Sequence, residues 1–152
     1  MLMSKAAVHR VAGVACGGVV ALYHADQENG LSRLLETLGG MFGGYHGSKG
    51  PDLVDPPNHP NHRGIGHGVL PMAAIGVCAH SKALELQSFL RETAAWHEQK
   101  AATTANDALR LLHTLVAIAL RFISGMSVGL LAGYASHLCL DATTTRGLPL
   151  VK

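Results

Sequence analysis

The sequence predicts an all-α fold: a compact helical bundle, embedded in or lying on a membrane, with a Pro/Gly-rich loop. Three observations predict it. No segment alternates apolar and polar residues with strand period over a useful length, while apolar residues recur at helical spacing along much of the chain. Hydrophobic residues make up 48% and charged residues only 14%, well below the roughly 25% of an ordinary soluble domain. Glycine reaches 18 residues, several of them in the run Gly39-Gly40-Met41-Phe42-Gly43-Gly44-Tyr45, which lets helix backbones approach closely. At 152 residues the chain is expected to form a single domain over 1–152.

The first helix is expected from about Lys5 to His24, apolar and rich in Gly and Ala. Its length suits either a bilayer span or a core helix. Lys5 and Arg10 precede the apolar run as in a secretory signal, but His9 and Arg10 interrupt it early and no small-x-small cleavage site follows, so it is read as mature structure. Asp26-Gln27-Glu28-Asn29-Gly30 makes a polar turn, and Leu31, Leu34, Leu35 and Leu38 then mark a helix starting near Ser32. From His46 to Asn61 the prolines Pro51, Pro56, Pro57 and Pro60, with Gly47 and Gly50, predict a structured loop. A second apolar segment runs from Gly64 to Ser81, and Lys82 to Asp107 reads as a water-exposed helical region. Ala108 to Leu140 is the longest apolar stretch, one helix or two meeting near Gly125, with Arg121 either facing a site, snorkelling or marking a break.

Charge and cysteine content exclude other classes. A net charge of +2, with basic residues scattered, gives no surface for nucleic acid. Cys16, Cys78 and Cys139 lie far apart inside apolar runs, so they are expected to be reduced core residues rather than a disulfide framework or a thiolate zinc site.

The candidate chemistry lies in histidines and carboxylates. His137 and Asp141 are four apart, which on a helix places imidazole and carboxylate side by side, either as metal ligands or as a helix C-terminus with its polar partners. His62 and His67 converge if the chain bends at Gly64 and Gly66. Asp52 and Asp55, three apart and flanked by prolines, repel each other unless a cation sits between them. His9 stands in an apolar segment without an obvious partner, and His24, His80, His97 and His113 have no convergent neighbours. His59 and His46 are weaker candidates from the loop. Together His9, Asp52, Asp55, His62, His67, His137 and Asp141 form an imidazole and carboxylate set that suits two or more divalent ions, zinc first, manganese or iron otherwise. Arg63 either binds a substrate phosphate or pairs with Asp52 or Asp55.

These residues carry a resemblance. His9, Pro51-Asp52 with Asp55, His62-Arg63-Gly64-Ile65-Gly66-His67-Gly68, and Gly133-Tyr134-Ala135-Ser136-His137-Leu138-Cys139-Leu140-Asp141 followed by Thr144, Gly147, Pro149 and Leu150 resemble the LexA-regulated, membrane-bound metal-dependent hydrolase family. Residues about 82 to 107 carry none of it, and Gly66 and Gly68 stand where family members usually have Thr and Ser. The resemblance implies an all-helical, membrane-associated metalloprotein, similar in logic to the zinc-dependent phospholipase C group. The expected function is hydrolysis of an ester or phosphoester, including a lipid ester, by metal-activated water, with Asp55 as base and Arg63 steadying the anion. The rivals are a non-enzymatic integral membrane protein that binds a metal or a proton, and a homo-oligomeric helical assembly subunit.

Overall fold

The computed structural model describes residues 5–54, 56, 73 and 75–143. Among them every regular element is helical: α1 (Lys5–His24), α2 (Gly30–Gly47), the short α3 (Gly50–Val54), a π-helical stretch (Ile75–Ala79) running into α4 (His80–Thr103), and α5 (Asp107–Ala142). The all-α expectation holds.

Polar caps set the helix starts. The Asn29 side chain accepts from Ser32 N–H and Asn106 from Leu109 N–H, satisfying donors that the first turn leaves over. Two boundaries differ from expectation. Helix continues through His46 to Gly47, and Gly50–Val54 is helical as well, where a loop was expected from His46 onward. Pro51 allows this because it falls in the first turn of α3, where a missing N–H costs nothing. The long apolar stretch is one helix of 36 residues, unbroken at Gly125.

Glycine spacing decides how the helices dock. A Cβ on Gly125, Gly129 or Gly133 of α5 would collide with the carbonyls of Glu36, Gly40 and Gly44 on α2, and one on Gly39, Gly43 or Gly47 with those of Phe122, Met126 and Leu130. Residue numbers rise together on both helices, so α2 and α5 are parallel and stacked backbone to backbone at four-residue steps. On another face of α2, Gly40 and Gly44 meet Gly17 and Gly13 of α1, which runs antiparallel. α4 folds back along the first half of α5, where Glu98 meets Arg121.

Little apolar volume is enclosed by this packing. The buried hydrophobic residues are Ala21, Ala25, Leu90, Ala94, Ala117, Val128 and Leu138, mostly small, while Val11, Val19, Leu34, Leu38, Phe42, Leu112, Leu115 and others of their size face outward. The three cysteines are free but exposed, correcting the core assignment: the glycines, not the cysteines, occupy the helix contacts. Arg121 marks no break. With Arg91 it is clasped by Glu28, Glu36 and Glu98, and Arg91 also donates to the His24 carbonyl. Glu36 is 0% exposed, and removing one partner from such a buried ion group costs about 3–5 kcal/mol.

Candidate metal centre

The α2–α5 register leads directly to the site. Ser48 and His137 are 89 residues apart, the same offset that pairs Glu36 with Gly125, Gly40 with Gly129 and Gly44 with Gly133. One further turn along the parallel stack brings the carbonyl that ends α2 onto the His137 ring, and His137 Nδ1 bonds Ser48 O. A carbonyl only accepts, so Nδ1 carries the proton and ligation is left to Nε2. Gly13 of α1 leaves room for Ser48, and Gly50 lies against the Tyr134 ring, so α3 sits close to α5.

His137 Nε2 stands 3.5 Å from Asp141 Oδ2 and 3.7 Å from Asp52 Oδ1, and His9 Nε2 is 3.6 Å from Asp141 Oδ1. The His9 and His137 rings are stacked, with centroids 4.1 Å apart and planes 21° from parallel. His137 and Asp141 are buried, at 2% and 5% exposure; the Asp52 side chain is 39% exposed and forms the open side.

These separations exceed an ordinary direct hydrogen bond. One tetrahedral ion with metal–donor bonds of about 2.0–2.2 Å puts neighbouring donor atoms roughly 3.3–3.6 Å apart; the two Asp141 separations fall in that range through different carboxylate oxygens, and the Asp52 separation lies just beyond it. The ligand atoms of His9, His137 and Asp141 all lie within 4.8 Å of one another. The donor set, two imidazoles and one or two carboxylates without thiolate, fits zinc, manganese or iron, so the residues present fit a divalent ion.

Of the expected ligands, the fold brings together His9, Asp52, His137 and Asp141. Asp55, His59, His62, Arg63 and His67, together with most of the expected Pro/Gly-rich loop and the tail from Thr144, lie outside the described residues. His9, without a visible partner in the sequence, has His137 and Asp141 beside it. His97 and His113 also converge, contrary to expectation: their Nδ1 atoms are 2.8 Å apart across α4 and α5, with Trp96 edge-on to both rings. The Ser48 carbonyl was invisible to residue-type reasoning because a backbone acceptor has no sequence signature; only the four-residue glycine spacing points to it. Comparisons with family models, with curated proteins and with solved structures find no match.

Proposed function

We propose that the protein is a membrane-embedded metal-dependent hydrolase acting on an ester or phosphoester. The observation that carries this reading is the convergence of His9, His137, Asp141 and Asp52 from three helices, at ligand-to-ligand spacing and with the His137 tautomer fixed by Ser48. A divalent ion there supplies Lewis acidity and activates water at neutral pH. The chain's own part is to fix the geometry. Ser48 holds the His137 ring, Asp141 stands beside both imidazoles, and Asp52 stands where a substrate can approach. In this reading His62 and His67 complete the ligand shell, zinc is the first candidate ion with a second one beside it, Asp55 is the base and Arg63 holds the anion.

Two observations support the membrane part. Ala6–His24 and Asp107–Ala142 are long and apolar enough to cross a bilayer, and large apolar side chains face outward while the buried residues are mostly small.

The test joins metal content to turnover. The purified chain is expected to hold stoichiometric divalent metal and to cleave a generic phosphodiester or ester, and His137→Ala is expected to lose both while its far-ultraviolet circular dichroism is unchanged. A His137→Ala protein that is folded and turns over substrate at the wild-type rate would sink the reading. Metal retained without turnover of either substrate would favour the non-enzymatic metal-binding alternative.

A further inference from the structure

A cavity of about 470 Å³ adjoins the ligand group, lined among the described residues by His46, Lys49, Gly50, Asp52 and Leu53. Its size falls within the roughly 300–1,000 Å³ of small-molecule sites. Asp52 belongs to both places, since it lines the cavity and stands 3.7 Å from His137 Nε2. An occupant of the cavity therefore meets the ligand group through Asp52.

Among the described lining residues Lys49 is the one Lys or Arg. Lys49, between α2 and α3, has its ammonium 3.8 Å from the centroid of the Tyr45 ring, which restrains an otherwise mobile chain. His46 is exposed and packs against Phe42, with ring centroids 4.5 Å apart. Leu53, which lines the cavity, is 83% exposed, and its chain neighbour Val54 60%. A lysine beside these exposed apolar side chains suits a ligand with an anionic head and a hydrocarbon body.

We propose that this cavity is a phosphate subsite, in which Lys49 and His46 hold the phosphate of a phospholipid headgroup beside the His9, His137 and Asp141 group while the acyl chains lie against Leu53 and Val54. The subsite rests on the hydrolase reading in one respect: the Asp52 carboxylate repels a phosphate unless a divalent ion neutralises it.

The test is binding, read by phosphorus NMR line broadening on the full chain in detergent, with zinc present and metal content measured in parallel. The probes are inorganic phosphate and dihexanoyl phosphatidic acid. The lipid is expected to bind more tightly than the free ion. Lys49→Gln is expected to weaken the lipid about tenfold, the effect of losing one charge-assisted hydrogen bond, while Lys49→Arg retains most of the affinity. Unchanged lipid binding in a folded Lys49→Gln protein overturns the subsite, even where metal uptake and turnover uphold the hydrolase. Inorganic phosphate binding as tightly as the lipid overturns the lipid assignment. A wild-type chain that takes up no metal yet binds the lipid through Lys49 would overturn the hydrolase reading together with the metal dependence of the subsite.

Discussion

Lys49 acts on Tyr45 as well as on the cavity. The Tyr45 phenol is held below its ordinary value of about 10, first by a hydrogen bond with Lys49, then by the charges of Lys49 and Arg10. Folding therefore favours the phenolate. The contribution is complete above the unfolded value and is lost as pH falls through the lowered folded value. Ultraviolet titration of the folded chain is expected to show a phenolic ionisation below the ordinary range that moves back up in Lys49→Gln. A titration that the substitution leaves in place would mean that Lys49 does not sit over Tyr45. At this scale the sequence is legible where chemistry is local. His137 and Asp141 are four apart on one helix face, and the site uses them together. The partnership of His9 with them crosses the fold, so nothing in the residues near His9 announces it. Lys49 carries no such signal, because a lone lysine in a Pro/Gly-rich segment differs in no way from a solvated one.

At the scale of the element, glycine spacing decides docking. Gly39, Gly43 and Gly47 on α2, and Gly125, Gly129 and Gly133 on α5, recur every four residues and therefore keep to one helix face. The sequence shows that spacing plainly, and the run from Gly39 to Tyr45 was legible as a close-packing surface; which helix would meet it, and in which direction, was not, because a bare glycine face carries no partner code. The start of the loop expected from His46 is helical for a smaller reason, that a proline at the second position of α3 is compatible with a helical turn. The docking has a direct test. Gly129→Ala places a methyl against the backbone of Gly40, including its carbonyl, which cannot yield as a flexible side chain would. Overpacking of about 1–3 kcal/mol outweighs the gain of at most about 1 kcal/mol from replacing a helical glycine, so denaturant unfolding in detergent is expected to show net loss of stability. Gly30→Ala meets nothing within 4 Å, and the same measurement is expected to show no loss or a small gain. Equal effects at the two positions would remove the α2–α5 register, and with it the reason Ser48 meets His137.

Across the whole molecule, two polar layers bracket an apolar stretch. On α5 the Arg121 ion group and the His137 site are sixteen residues apart, about 24 Å along a helix, compared with about 30 Å for the hydrocarbon core of a bilayer. Between them Val11, Val19, Leu34, Leu38, Phe42 and Leu130 are exposed, and the glycine faces of α1, α2 and α5 are used within the chain. On the membrane reading this band contacts lipid and the site opens near one interface, where a phospholipid headgroup lies. Arg121, costly in hydrocarbon if unpaired, is matched by carboxylates from α2, α4 and the turn before α2. Cys16 tests the arrangement, because it is exposed in the middle of α1. In a chain with Cys78 and Cys139 replaced by Ser, a polarity-sensitive fluorophore on Cys16 is expected to emit as in an apolar medium when the protein is in vesicles. Lipids spin-labelled in the middle of the acyl chain are expected to quench it more strongly than lipids labelled at the headgroup. The protein is also expected to stay with the membrane through an alkaline carbonate wash. A chain that leaves the membrane in that wash, with Cys16 unquenched by either lipid and the protein forming defined oligomers without detergent, would transfer the exposed apolar band from lipid to subunit contacts. The ligand group would then be a site in a soluble assembly, and the phosphate cavity would have no bilayer to draw its lipid from.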